Sequence, residues 1–80
     1  MKVVGAVAQR IVDLCAERGI AYNYLANQAG IPPMTLYSIL DGKSKNPGIT
    51  NIKAICDALE LPLKVFFDSP LFDQLEQEIQ

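Results

Sequence analysis

The sequence predicts an all-α fold of five helices followed by a short sixth helix near its C-terminal end. Apolar residues recur at intervals of three and four along several segments, which is the spacing of one face of an α-helix. Glycines or prolines stand where these segments end or begin. No segment shows the alternation of apolar and polar residues that is typical of a β-strand.

The first two predicted helices are each followed by a glycine. Residues 4–18 form the first helix, and Gly19 is placed to cap its C-terminal end. A short second helix begins near Tyr22, and Gly30 ends it in the same way. The residues predicted to face inward are Val4, Val7, Ile11, Leu14 and Cys15 in the first helix and Tyr22, Leu25, Ala26 and Ala29 in the second.

The third predicted helix begins with two prolines. Pro32 and Pro33 have a fixed φ and no N–H to donate, which suits the entrance of a helix. Gly42 closes this helix. Its inward residues are Leu36, Ile39 and Leu40. Two short helices joined by a tight turn that contains glycine are the pattern of a helix-turn-helix.

Further helices follow the loop "GKSKNPG". Pro62 begins the fifth helix, and Ser69 with Pro70 forms an N-cap and first-turn pair for the sixth. The inward residues are Ile49, Ile52, Ile55, Cys56 and Leu59 in the fourth helix and Leu63, Phe66 and Phe67 in the fifth. Residues 1–68 are thus expected to form one domain, and residues 69–80 an acidic amphipathic tail.

The tail carries an apolar stripe that allows two interpretations. The stripe consists of Leu71, Phe72, Leu75 and Ile79. It either folds back on its own core, as tails more often do, or contacts a second copy of the chain.

Length and composition restrict the class of protein. Eighty residues suffice for one small core. Half of the residues are apolar, yet no apolar run approaches the roughly 18 residues that a membrane span needs. We therefore expect a soluble, cytoplasmic protein that has no contact with membranes.

The net charge of −2 conceals an uneven distribution. Residues 1–56 carry six basic and three acidic side chains, whereas residues 57–80 carry one basic and six acidic side chains. A mildly basic body suits a protein that presents one face to an anion, although acidic tails are often only solvated ends.

The sequence offers no catalytic or metal-binding pattern. It contains no histidine and no glycine-rich phosphate loop. Cys15 and Cys56 stand far apart along the chain, which favours two buried free thiols over a disulfide or a zinc site. We expect no enzymatic activity, no cofactor, no bound metal and no small-molecule substrate.

A longer stretch resembles a known family. The segment "YLANQAGIPPMTLYSILDGKSKNPGITNIKAICDAL" is similar to the Cro and repressor type of helix-turn-helix domain, also called the xenobiotic-response-element-like (XRE) family of bacterial and phage regulators. The resemblance covers about residues 8–67. It implies a five-helix, lambda-repressor-like fold whose third helix lies in the major groove of double-stranded DNA.

The resemblance also implies contact residues. Tyr22 stands where the family begins its second helix beside a phosphate. The positions that would face base edges are Pro33, Met34, Tyr37 and Ser38, with Thr35 close by, and the loop that would meet the backbone consists of Lys43, Ser44, Lys45 and Asn46.

Several positions depart from the family pattern. Ala21 replaces the usual Ser or Thr cap of the second helix, unless Asn23 caps a later start. Cys15 and Leu40 replace an Arg and a Glu that many relatives pair, so both are expected to be buried. Pro33 and Met34 replace polar residues, so base reading would depend on thymine methyl groups and on hydroxyls.

Each contact residue also has a structural interpretation. The two loop lysines would be favourable next to any helix C-terminus, although the loop composition favours phosphate contact. Thr35 and Ser38 suit an exposed helix face equally well. Tyr24 is interpreted as a packing residue, whereas Tyr22 and Tyr37 are assigned to the DNA face.

The resemblance implies a sequence-specific transcriptional regulator, most simply a repressor, that binds half-sites as a homodimer. The alternative is an antitoxin-like or adaptor module that keeps the fold and mainly contacts protein, because one scaffold can serve several functions.

Overall fold

Five α-helices and one turn of 3-10 helix make up the regular structure of the residues described. The computed structural model describes residues 1–42 and 46–79. Its elements are α1 (Val3–Arg18), α2 (Tyr22–Ala29), α3 (Pro33–Leu40), α4 (Ile49–Ala58) and α5 (Leu63–Phe66), followed by the 3-10 turn Pro70–Phe72. The predicted all-α fold of five helices is confirmed. None of the described helices is long and apolar enough to cross a membrane.

The first two helices end at the predicted glycines. Gly19 has a φ of 65°, and Gly30 has a φ of 70°. This left-handed conformation is open to glycine without steric cost. It lets the N–H of Ile20 donate to the carbonyl of Cys15, at 3.1 Å, which closes α1 with a C-terminal cap.

The core is built from the predicted apolar stripes of all five helices. The buried cluster consists of Val7, Ile11, Leu14, Cys15, Leu25, Ala26, Leu36, Ile39, Ile52, Ile55, Cys56, Leu59 and Phe66. Every member lies on a stripe expected from the sequence. Burial of this set is the main stabilising contribution to a domain of this size.

Two residues predicted to face inward, Val4 and Ile49, lie outside the core cluster and the residues packed against it, although Val4 is partly buried. Ile49 is 60% exposed, so its assignment to the core was wrong. It is the first residue of α4 and stands at the edge of the stripe that Ile52 and Ile55 define. The apolar spacing alone did not distinguish this edge position from the centre of the stripe.

Two arginines of α1 bind the ends of later helices. The guanidinium of Arg10 donates to the carbonyl oxygens of Phe66, at 2.7 Å, and Val65, at 2.9 Å. Arg18 donates to the carbonyl oxygen of Leu59, at 2.6 Å, just after the end of α4. Terminal helix carbonyls lack partners within their own helix, and a cation there is also favoured by the helix dipole.

The tail forms one 3-10 turn instead of the predicted sixth helix. Ser69 caps this turn as expected, because its side chain accepts from the N–H of Leu71, at 3.2 Å. Phe72 then packs against Phe67, with ring centroids 5.0 Å apart, and joins the residues that surround the core. Packing of Phe72 corresponds to the interpretation in which the tail folds back.

Beyond this turn the tail returns to the N-terminal end of α1. The backbone N–H of Glu76 donates to the carbonyl of Met1, at 3.0 Å, and the Met1 amino group lies 3.0 Å from the Glu76 carboxylate. This hydrogen-bonded ion pair lowers the pKa of Glu76 below its usual value. Ile79, the last member of the predicted stripe, is exposed. A helix this short is marginal by itself, so contacts with α1 decide the path of the chain.

Candidate nucleic-acid interface

A short turn fixes α3 against α2. The N–H of Ile31 donates to the carbonyl of Ala26, at 3.1 Å, which closes the end of α2. Pro32 is extended, and Pro33 begins α3, where its missing N–H costs no hydrogen bond. The partly buried side chain of Ile31 packs against the core. The turn therefore sets the direction in which α3 leaves α2.

The third helix has a buried face and an outer face. Leu36 and Ile39 are buried, which anchors the helix to the core. We define the outer face of α3 as the four positions predicted to face base edges, which are Pro33, Met34, Tyr37 and Ser38. Pro33 is exposed, Met34 is 80% exposed and Tyr37 is 41% exposed, whereas Ser38 and the neighbouring Thr35 are partly buried.

Residues at the start of α2 contact the outer face of α3. The hydroxyl of Tyr37 donates to Oδ1 of Asn23, with an oxygen–oxygen distance of 3.2 Å. The ring of Tyr22 meets the ring of Tyr37 edge to face, with centroids 6.3 Å apart. Tyr22 is partly buried against the core. The structure thus brings Tyr22 and Tyr37 together, as members of one surface.

Two expectations for α2 can be compared with its structure. Ala21 is the N-cap and makes no side-chain capping bond, so Asn23 does not cap a later start. Tyr24 is exposed, so its interpretation as a packing residue was wrong. It lies about 100° around the helix from the buried Leu25, outside the stripe that faces the core.

Part of the predicted loop lies outside the described residues. These are Lys43, Ser44 and Lys45. The next contact position, Asn46, is exposed, and its Oδ1 accepts from the N–H of Gly48, at 3.3 Å. Asn46 therefore shapes the entry into α4 in addition to being accessible.

The outer face of α3 carries no charged side chain. Several basic groups of the described residues are instead engaged elsewhere: Arg10 and Arg18 bind helix carbonyls, and Lys53 pairs with Asp57 within α4. Arg18 and Lys53 nevertheless remain exposed. The basic residues that follow α3 directly in the sequence are Lys43 and Lys45.

Comparison with known proteins identifies the family. A family model for the Cro/C1-type HTH DNA-binding domain matches residues 10–64, well over half of the chain. The chain belongs to the Cro/C1-type helix-turn-helix DNA-binding family. Comparisons with curated proteins and with solved structures gave no match. The resemblance noted in the sequence is confirmed, and the family supports a role as a DNA-binding regulator.

Within this helix-turn-helix domain, Cys15 and Leu40 are the two positions at which the resemblance implied an ion pair in relatives. Cys15 is buried as expected, and Leu40 is partly buried against the core. Burial raises the pKa of the Cys15 thiol above its usual value. Burial, with a smaller contribution from Asp57, does the same to the pKa of the Cys56 thiol. Both thiols are free, as the sequence favoured. In residues 1–42 and 46–79, no three His, Cys, Asp or Glu side chains cluster as candidate metal ligands.

Three residues of the helix-turn-helix domain gained roles that sequence reasoning missed: Asn23, Arg10 and Arg18, the last through its bond to the carbonyl of Leu59. Asn23 was considered only as a helix cap, yet it binds the hydroxyl of Tyr37. Arg10 was counted only as a positive charge, yet it joins α1 to α5. For Arg10 a signal existed, because it stands three residues after Val7 and four before Leu14, beside the buried stripe. For Asn23 the sequence held no comparable signal.

Proposed function

We propose that the chain is a sequence-specific transcriptional regulator that acts as a repressor by laying α3 in the major groove of double-stranded DNA. The observation that carries this proposal is the exposed outer face of α3 in a confirmed helix-turn-helix domain, with Met34 80% exposed above the buried Leu36. In such domains the N-terminal part of the second helix of the motif contacts base edges.

The proposed contacts divide into two kinds. Tyr22 and the loop from Lys43 to Asn46 contact phosphates, which position the protein without reading sequence. The outer face of α3, with Thr35 beside it, reads the bases. Since this face is uncharged, readout depends on contact between Met34 and a thymine methyl group and on the hydroxyls of Tyr37 and Ser38. Lys43 and Lys45 supply the cationic contribution to affinity.

A homodimer would increase the small number of contacts that one domain makes. Two copies would place their α3 helices about 34 Å apart, one turn of DNA, and would read a palindromic site. Repression then requires only occupancy of the site. Sedimentation of the full chain and of a chain that lacks residues 69–80 would show whether the tail contributes to the dimer. The same number of subunits in both would exclude the tail as the contact.

Salt dependence of duplex binding tests the proposal. The affinity for duplex DNA should fall steeply as the salt concentration rises. Binding releases cations from the phosphates, and this release is less favourable when more salt is already in solution. Selection of bound duplexes from a random pool should then recover a preferred site. Absence of binding to any duplex at low salt would refute the proposed function.

A protein-interaction role is the second candidate, as an antitoxin-like or adaptor module. It is favoured by the uncharged outer face of α3 and by the hydrogen bonds of Arg10 and Arg18 to helix carbonyls. Such a module should show no duplex binding above background even at low salt. The same titration therefore separates the two candidates.

A further inference from the structure

The hydroxyl of Tyr37 has a hydrogen-bond partner on the outer face of α3. It donates its proton to Oδ1 of Asn23, at 3.2 Å. The edge-to-face contact with Tyr22, at 6.3 Å between centroids, restrains the ring from a second side. Tyr37 nevertheless remains accessible, since 41% of its surface is exposed. A partner that covers this face would meet a hydroxyl whose proton is already in use.

The chemistry of a tyrosine hydroxyl makes this arrangement selective. The group has one proton to donate and lone pairs that accept. When the proton points to Asn23, only the lone pairs are available to an incoming duplex. The major groove presents amino donors at N6 of adenine and N4 of cytosine, and it presents acceptors at O6 of guanine and O4 of thymine. Only the amino groups complement the Tyr37 oxygen.

We propose that Asn23 is a positioning residue that makes Tyr37 a hydrogen-bond acceptor, so that α3 selects the amino group of adenine or cytosine at the base that Tyr37 meets. This inference rests on the proposed function, because it requires α3 to lie in the major groove. Asn23 is not itself a base contact in this arrangement. It acts through the direction of the Tyr37 hydroxyl.

Selectivity arises when the duplex displaces water. In the free protein, water donates hydrogen bonds to the lone pairs of Tyr37, so the hydroxyl imposes no base preference before the duplex binds. Against guanine or thymine, the Tyr37 oxygen and the base carbonyl would face each other as two acceptors while the Tyr37 proton stays on Asn23, so a base contact could form only if that bond broke. An unsatisfied buried acceptor costs more than a hydrogen bond contributes. We expect a discrimination of about fivefold or more at this one position.

The experiment compares duplexes that differ by one amino group. The preferred site is first selected from a random pool with the wild-type chain and with Tyr37→Phe, and the base position at which the two selections differ marks the contact. The adenine or cytosine there is then replaced by purine or by 2-pyrimidinone, which lack the amino group. Wild-type affinity should fall about fivefold. Tyr37→Phe should bind the intact site about fivefold more weakly and lose nothing further when the amino group is removed.

Two more variants separate the role of Asn23 from general effects. Asn23→Ala frees the hydroxyl to turn its proton outward, so its preference for amino over keto bases at the contact should fall about fivefold. Tyr24→Phe removes a hydroxyl from an exposed tyrosine of the same helix and should retain the wild-type preference. Thermal unfolding of each variant confirms that it is folded at the temperature of the assay.

The outcomes distinguish this inference from the proposed function. One outcome is a wild-type chain that binds duplexes sequence-specifically and yet loses no Tyr37-dependent affinity when the amino group is removed. That result would overturn the inference and leave the proposed function standing. Binding with no sequence preference would overturn the inference and the sequence-specific part of the proposed function. Failure of the wild-type chain to bind any duplex would overturn both. An Asn23→Ala variant that keeps the full wild-type preference for amino over keto bases would show that Asn23 does not position Tyr37, and it would overturn the inference.

Discussion

The guanidinium of Arg10 in α1 donates a hydrogen bond of 2.7 Å to the carbonyl oxygen of Phe66 at the end of α5. A second bond, to Val65, lies beside it at 2.9 Å. The planar fork of a guanidinium suits two adjacent acceptors, whereas an ammonium group does not. Arg10 therefore holds the last helix of the domain on the first.

Replacement of Arg10 should affect folding stability more than DNA affinity. Arg10→Ala is expected to lower the free energy of unfolding by about 2 kcal/mol, because two charge-assisted bonds that are partly solvated are lost. Arg10→Lys should recover only part of this loss. Denaturant titration measures the free energy of unfolding of both variants. The control is Lys64→Ala, which removes an exposed cation on α5 and should lower this free energy by about 0.5 kcal/mol or less. The salt slope of DNA binding should stay unchanged. A loss no larger than that of the control would contradict the role of Arg10.

The loop lysines should affect DNA affinity without regard to sequence. Lys43→Ala and Lys45→Ala are each expected to weaken binding to all duplexes about equally and to reduce the logarithmic salt slope by about one. Lys53→Ala is the matched control, because Lys53 pairs with Asp57 within α4 and should leave the slope unchanged. An unchanged slope in the double variant of Lys43 and Lys45 would exclude phosphate contact.

Met34 should affect sequence preference and leave stability almost intact. Because Met34 is 80% exposed, Met34→Ala should change the free energy of unfolding by less than about 0.5 kcal/mol. On sites with a thymine methyl at the contacted step it should cost of the order of 1 kcal/mol in binding, and little on other sites. Ile49→Ala, at another exposed apolar position, is the control for non-specific loss of apolar surface. A loss spread evenly over all sequences would show that Met34 does not read bases.

The buried thiols should be protected by the fold. Burial raises the pKa of both Cys15 and Cys56, so less of the reactive thiolate is present at a given pH than for an exposed thiol. Thiol reagents should therefore label the folded chain slowly and the denatured chain fast. In the folded chain the rate should keep rising above the pH at which an ordinary thiol has ionised. A Cys56→Ala background isolates Cys15, and equal rates in buffer and denaturant would contradict its burial.

Phe72 should contribute to stability through its contacts with Phe66 and Phe67. Phe72→Ala is expected to lower the free energy of unfolding by about 2 kcal/mol, less than for a fully buried phenylalanine because Phe72 is partly exposed. Ile79→Ala, farther along the same tail and 84% exposed, should have little effect. Equal unfolding curves for the two variants would show that the tail does not seal the core.

The sequence was sufficient for the core because burial imposes a regular spacing. The positions of Val7, Ile11 and Leu14 on one helix face follow from the helical repeat alone. The glycines at helix ends were equally clear, since few residues accept the conformation needed there. The error at Ile49 occurred at the edge of a stripe, where apolar spacing does not show how exposed a position is. Tyr24 lay outside the stripe, and its packing role was inferred only from its residue type.

The candidate site was harder to predict because its contacts cross between elements. The Tyr37 hydroxyl meets Asn23 from another helix, and this bond depends on the angle between α2 and α3. The predicted helix in the tail failed for a related reason. Ser69 signalled a helix start correctly, but the packing of Phe72 on Phe67 and the bond of Glu76 to Met1 determine where the chain goes next. Local patterns carry no information about such partners.

The cluster of Phe66, Phe67 and Phe72 covers the core from a late part of the sequence, which has a consequence for biosynthesis. During translation α1 leaves the ribosome before the carbonyl acceptors of Arg10 and the rings of Phe66 and Phe72. Until they emerge, the apolar side of α1 lacks its final cover, and nascent chains with exposed apolar surface are bound by chaperones or aggregate. The domain should therefore complete folding only after synthesis has passed Phe72, and a ribosome stalled before that point would hold a chain open to proteases.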